Sequence, residues 1–168
     1  KEDFSVDIGN KLIHFEIALI MIHGSPGEDG ILQSYFELLN IPYTGCSPYT
    51  SALTFNKRDC ISILKKFNIP TAKSVYLNKS EFFNEDEVIE KVGLPCFVKA
   101  NKSGSSYGVF KVNIKNELSS SIKNAFEYDD EILIESFLDG KEVSVGVMKY
   151  NDVIKVFGIT ELISDNDF

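Results

Sequence analysis

Phe15-Glu16-Ile17-Ala18-Leu19-Ile20-Met21-Ile22-His23, followed by Gly24-Ser25-Pro26-Gly27-Glu28-Asp29-Gly30-Ile31-Leu32-Gln33-Ser34, is an apolar run that breaks at a glycine corner and reopens as a helix. A short branched run ending at glycine has the pattern of a buried strand in an α/β sheet. The helix is expected from about Glu28. Its apolar positions Ile31, Leu32, Tyr35, Phe36, Leu38 and Leu39 share one broad face, and Glu28 and Asp29 fall in the first turn, where the helix dipole favours acids. Residues 41–45 read as a second short strand. Strand, loop, helix and strand make one half of a doubly wound unit, so the expected fold class is α/β.

Beyond this unit, Ser47-Pro48 opens a helical region expected to reach about Phe67, with Cys60, Ile63, Leu64 and Phe67 as its buried stripe. Residues 72–77 are strand-like, and residues 85–92 form a short helix closed by Gly93 and Pro95. The rest is mostly β. A strand over 96–100, a loop over 101–108 and a returning strand over 109–114 are expected. Asn116 is placed to cap a helix whose stripe is Leu118, Ile122, Ala125 and Phe126. A strand over 132–137 follows, then a turn at Asp139-Gly140. Residues 142–148 alternate with Val143, Val145 and Val147 inward, and Asn151-Asp152 turns the chain into a last strand over 153–159. This second part is α+β.

The 168 residues, 43% of them hydrophobic, suit one large domain or two small ones with real cores. Seventeen basic against twenty-five acidic residues leave a net charge of −8, which argues against a partner made of duplex nucleic acid. One nucleotide needs only a few well-placed lysines. No apolar run approaches the roughly 18 residues that cross a bilayer, and residues 1–4 show no basic region leading into an apolar core. No membrane partner and a cytoplasmic location are expected. Cys46, Cys60 and Cys96 contain no CxxC pair, and His14 and His23 are not spaced to complete a metal site. Reduced, mostly buried thiols are expected. With no initiator methionine and an end on Asp167-Phe168 without turn or cap, the chain is expected to be a piece of a longer protein.

Phe97-Val98-Lys99-Ala100-Asn101-Lys102-Ser103-Gly104-Ser105-Ser106-Tyr107-Gly108 joins two expected strands. It offers successive backbone N–H groups without bulky side chains, two hydroxyls and a strand-borne lysine. A lid over a triphosphate requires these: donors that approach closely and a cation for the oxygens. It is no P-loop, since GxxxxGK[ST] is absent and a strand rather than a helix follows. Taken alone, the same composition equally describes a Ser/Gly-rich hairpin turn. Glu135 near the end of one strand and Glu142 at the start of the next could meet an adenine amine and a ribose diol, or could be a solvated hairpin edge beside Asp139 and Lys141. Lys57 is ambiguous in the same way.

The segment from His23 to Ser34 also resembles the signature HGxxGE[DN]G of the D-alanine–D-alanine ligases, followed by an aliphatic and a small polar pair; every specified position fits. Ile41-Pro42-Tyr43-Thr44-Gly45 and Ser51-Ala52-Leu53-Thr54-Phe55-Asn56-Lys57 look like further segments of that family, with Asn56 where aspartate is usual. The 97–108 loop resembles its FVKP…GSS.G loop, with Ala100 in place of proline. Ile132-Leu133-Ile134-Glu135-Ser136-Phe137 through Glu142 resembles its nucleotide hinge, with Ser136 where lysine is frequent.

What the resemblance implies is an ATP-grasp fold. Residues 1–46 would be part of an N-terminal Rossmann-like domain, 47–134 the central α+β subdomain and 135–168 the start of the C-terminal subdomain. ATP and Mg2+ would be the cofactors and D-alanine the substrate, in a homodimer that makes D-alanyl-D-alanine for peptidoglycan through an acyl phosphate. Lys57 and Lys99 would hold the α and β phosphates, and the Ser105-Ser106 loop would cap the transferring group. Glu135 would meet the adenine amine, Ser136 and Leu138 would contribute backbone, and Glu142 would bind the ribose. His23 and Glu28 would face the D-alanine site, joined by Ser105. The family's metal ligands would lie beyond Phe168, and this piece alone is not expected to catalyse ligation. Other readings are a D-alanine–D-lactate ligase, another ATP-grasp carboxylate–amine ligase, and a non-catalytic nucleotide-binding protein.

Overall fold

The computed structural model describes residues 4–163, so the outermost positions of the segments expected over 1–46 and 135–168 lie outside the described residues. The described chain opens on an unexpected hairpin, β1 (Ser5–Ile8) antiparallel to β2 (Lys11–His14). Gly9 and Asn10 make its turn at φ 55° and 66°, the left-handed pair that a two-residue hairpin requires.

The run expected as a buried strand, residues 15–23, is extended but forms no ladder. Ala18 alone pairs, in an isolated parallel bridge to Tyr43; its N–H reaches Pro42 O at 2.8 Å and its carbonyl accepts from Thr44 N at 2.9 Å. Only Ala18 is buried here, while Leu19 is 70% and Met21 79% exposed. The same bridge is all that forms of the strand expected over 41–45. A strand deep in a parallel sheet needs neighbours along its length, and among the described residues this run has one bridging residue.

Helix α1 (Ile31–Leu38) starts later than expected. Glu28 and Asp29 stay outside it and serve the corner instead: the Glu28 carboxylate accepts from Gly24 N at 2.6 Å, and Asp29 Oδ1 from Ile31 N at 3.1 Å. Of its expected apolar face, Ile31, Tyr35 and Leu38 are exposed, and the buried residue of α1 is Gln33, whose Nε2 donates to Gly27 O. The helical region expected as far as Phe67 splits into α2 (Pro48–Phe55) and α3 (Lys57–Lys66). Ser47 Oγ accepts from Thr50 N, and Asn56 Oδ1 accepts from Asp59 N at 3.1 Å, so each helix carries its own N-cap. The stripe Cys60, Ile63, Leu64 and Phe67 leaves α3 with no buried residue.

The core lies in a four-stranded antiparallel sheet of order β3 (Ser74–Asn78), β6 (Glu131–Ser136), β4 (Cys96–Ala100), β5 (Val109–Val112). Strand alternation divides its two faces. Cys96 and Val98 on β4, and Ile132 and Ile134 on β6, pack against Val88 and Val92 of α4 (Glu85–Val92) and Leu118, Ile122 and Ala125 of α5 (Leu118–Ala125). Each valine, leucine or isoleucine among them, fully buried, contributes about 1.5–3 kcal/mol relative to exposure. The opposite face carries Phe97, Lys99 and Glu135. Asn116 does not cap α5: a single 3-10 turn, Lys115–Glu117, precedes it, and the Glu117 carboxylate accepts from Asn113 N and Ile114 N. The returning strand accordingly stops at Val112.

β7 (Glu142–Tyr150) and β8 (Val153–Leu162) form a separate two-stranded ribbon turned by Asn151 and Asp152, at φ 50° and 60°. The turn is where the sequence puts it. Val143, Val145 and Val147 do not point inward, however; every residue of both strands is exposed, because among the described residues no layer packs on the ribbon. The thiols likewise differ from expectation: Cys96 is buried, Cys60 half-buried and Cys46 exposed, all free.

Candidate functional site

The polar face of the sheet, the loop over 101–108 and the hinge between β6 and β7 enclose a cleft of about 690 Å³. All the expected nucleotide contacts line it: Lys57, Lys99, Ser105, Ser106, Glu135, Ser136, Leu138 and Glu142. Lys57 is there because the break at Asn56 turns α3 so that its first residue meets the end of β4. Lys99 and Glu135 are there because β4 and β6 pair with Lys99 opposite Leu133 and Phe97 opposite Glu135, which puts lysine and glutamate diagonally on one face.

Lys99 Nζ sits 2.7 Å from Glu135 Oε2, with the side chains 26% and 12% exposed. Lys57 Nζ donates to three loop carbonyls, Ala100 at 3.0 Å, Asn101 at 3.2 Å and Ser103 at 2.5 Å. An ammonium has three protons, so these carbonyls saturate it. Burial pushes the Lys57 pKa below the usual lysine value, and the Lys99 charge pushes it the same way. Two cations facing one cleft, one of them desolvated, make a place for an anion.

Hydrogen bonds within the loop fix its shape. Ser103 Oγ donates to Tyr107 O at 2.8 Å and Tyr107 N to Gly104 O at 3.0 Å, closing a tight turn. Ser105 and Ser106 stand at its tip, exposed, with φ of 48° and 60°. Left-handed backbone costs a non-glycine residue about 1–2 kcal/mol, and the anchored turn sustains it. Gly108 is required where the loop re-enters the sheet: at φ 69°, a Cβ would lie 2.9 Å from both Ala100 Cβ and Tyr128 Cγ.

His23 and Ser105 share a smaller pocket of about 220 Å³ with Gly24, Ser25 and Phe55. Glu28 faces the same loop from the other side, lining a further pocket with Lys57, Ser103 and Gly104; a Cβ on Gly104 would lie 3.3 Å from its Oε2. The glycine corner of the first unit therefore closes onto the loop of the second. Sequence reasoning missed Phe97 and Phe137, whose rings, 6.2 Å apart between centroids, wall the cleft, and Ser103, whose carbonyl holds Lys57. Strand alternation would have found Phe97, two residues before Lys99 on the same face. Among the described residues, no group of three or more His, Cys, Asp and Glu is placed to hold a metal ion, and no helix is long and apolar enough to cross a membrane.

Known proteins are similar to this chain in sequence and fold. A D-alanine–D-alanine ligase of Flavobacterium johnsoniae is 55% identical over 168 residues, 100% of this chain and 52% of its own length. The crystal structure of D-alanyl-alanine synthetase A from Vibrio cholerae superposes with a TM-score of 0.87 at 28% identity, over 99% of this chain and 52% of that one. The VanG D-Ala:D-Ser ligase of Enterococcus faecalis gives 0.77 at 34% identity, over 90% of this chain and 44% of that one. The fold is thus that of ATP-grasp ligases. The chain spans about half the length of the curated relatives it matches. The family model for the D-ala D-ala ligase N-terminus matches residues 1–46 and that for the C-terminus residues 63–168, and this chain belongs to the D-alanine–D-alanine ligase family.

Proposed function

We propose that this chain supplies the nucleotide cleft and part of the first substrate site of an ATP-dependent ligase that joins two D-alanines for peptidoglycan precursor synthesis. The observation that carries this reading is the convergence of Lys57, Lys99, the Ser105-Ser106 tip, Glu135 and Glu142 on one cleft. The γ-phosphoryl group of ATP passes to the carboxylate of one D-alanine. The amino group of a second D-alanine attacks the acyl phosphate, phosphate leaves, and the products are the dipeptide, ADP and phosphate.

Phosphoryl transfer calls for positioning and charge neutralisation more than for a covalent catalyst. Lys99 and Lys57 supply the positive charge for the α and β phosphates, with phosphate oxygens replacing loop carbonyls around Lys57 Nζ. The N–H groups and hydroxyls of Ser105 and Ser106 close over the transferring group, and Ser105 reaches the substrate pocket it shares with His23. Phe97 and Phe137 offer apolar walls for the base. Glu135 accepts from the adenine amine while Ser136 and Leu138 present backbone, and Glu142 accepts from the ribose hydroxyls. Mg2+ bound to ATP would neutralise phosphate charge. In this reading residues 1–46 belong to the substrate domain, 47–134 to the central subdomain and 135–168 to the C-terminal one. The enzyme acts in the cytoplasm as a homodimer.

A second reading concerns the second substrate alone. The likeness to a D-Ala:D-Ser ligase at 34% identity favours testing D-serine beside D-alanine and D-lactate. Phosphate release by the full-length protein is the test, with ATP, Mg2+ and D-alanine against L-alanine, D-serine and D-lactate. D-alanine-dependent release with D-alanyl-D-alanine as product is expected. Release indifferent to the amino acid would sink the assignment.

A further inference from the structure

Asn101, the residue where β4 ends and the loop begins, is 1% exposed and uses every polar atom it has. Its N–H donates to Glu131 O at 3.0 Å, and its carbonyl accepts from Lys57 N at 3.3 Å and Lys57 Nζ at 3.2 Å. Its side-chain Oδ1 accepts from Arg58 N at 2.9 Å, while Nδ2 donates to Asn56 Oδ1 at 3.0 Å and Glu131 Oε2 at 2.9 Å. The first N–H groups of a helix have no partner within it. In α3 those of Lys57 and Arg58 go to Asn101 and that of Asp59 to Asn56, so much of the cap arrives from far along the chain.

The consequence falls on the cleft. Lys57 is the first residue of α3, and Lys99 lies two residues before Asn101 on β4. The adjoining Lys102 N donates to Asp129 Oδ2, and Lys102 Nζ pairs with Glu131 at 3.1 Å, so the root of the Ser-Gly loop is pinned beside the same junction. We propose that Asn101 is a positioning residue: it sets the separation of the two cleft lysines and the footing of the loop, and so the affinity for the nucleotide's phosphates. One amide proton each goes to Asn56 Oδ1 and to the Glu131 carboxylate.

The inference rests on the nucleotide role of the cleft, and the test separates the two. In the full-length protein, Asn101→Asp keeps the acceptor for Arg58 N but puts a carboxylate against Glu131 and Asn56 Oδ1. Its ATP Kd and KM are expected to rise about tenfold or more, as for loss of hydrogen bonds around a charged group. The KM for D-alanine, which the loop touches through its Ser105 tip, should rise by less than that for ATP. Asn101→Asp with Glu131→Gln restores donor to acceptor, because the glutamine amide can donate to the introduced carboxylate. ATP affinity should recover in part, since Asn56 Oδ1 still faces the introduced carboxylate while the exposed Lys102 pair is worth little. A role in folding alone would lower the melting temperature and weaken both substrates by the same factor, and that result, or an unchanged ATP Kd in Asn101→Asp, overturns the proposal. If the wild type binds ATP but ignores D-alanine, the ligase reading fails while Asn101 is still judged from ATP affinity. If the wild type binds no ATP, both fail.

Discussion

Replacing Lys99 by methionine keeps most of the stem and removes the ammonium that stands 2.7 Å from Glu135 Oε2. Two losses follow. In the free protein Glu135, 12% exposed, keeps its carboxylate without a partner; an unpaired group so shielded costs about 1–3 kcal/mol. In the complex the phosphates lose one charge-assisted bond, about 1.5–3 kcal/mol, or roughly 10- to 150-fold in Kd. The unpaired carboxylate repels the phosphates and adds in the same direction. Lys99→Met with Glu135→Gln separates the terms: the glutamine is neutral, so stability should recover, and its Oε1 can still accept from an adenine amine. ATP affinity should remain low, since the cation is still missing. Titration calorimetry with ATP and urea unfolding of the full-length proteins read the two quantities. ATP Kd in Lys99→Met within about twofold of wild type would refute the reasoning, and so would stability unrestored by the second change.

Lys57 carries a lowered pKa through burial and then the charge of Lys99, so it loses its proton at lower pH than an ordinary lysine. Phosphates favour the charged form; on the alkaline side ATP binding should therefore take up a proton, and affinity should decline before free lysine would titrate. Calorimetry in two buffers of different ionisation heat measures that uptake, and its absence in wild type, or its persistence in Lys57→Met, would assign the proton elsewhere. Gly30→Ala should destabilise the full-length protein, because Gly30 stands at φ 91° and a Cβ there would lie 2.5 Å from Pro48 O. The backbone conformation alone accounts for about 1–3 kcal/mol; a urea midpoint equal to wild type's would contradict the close approach of the first unit to α2.

Residues 23–34 form a junction in the structure, whatever their signature implies about substrate. Gly30 is needed because Pro48 passes close to it, and Glu28 is spent partly on Gly24 N. Local patterning identified β4 over 96–100, the loop over 101–108 and the helix over 85–92, because alternation, small-residue content and a Gly-Pro stop are all read within a few residues. The candidate nucleotide residues were not legible in this way: by spacing alone Lys57, Glu135 and Glu142 described a solvated surface equally well, and only the resemblance named them.

What sequence alone determined, then, is the order of strands and helices from β3 to β8 and the chemistry on offer. Tertiary structure decided the rest. That Lys57 and Lys99 share one cleft, that residues 15–23 stay exposed apart from Ala18 and Ile20, that β7 and β8 bury neither face, and that Asn101 closes the α3 N-terminus all depend on contacts between distant parts of the chain. Such contacts leave no period or local composition to read. Asn101 appears in the sequence as one more polar loop residue; only the approach of α3 to the end of β4 gives each of its polar atoms a partner.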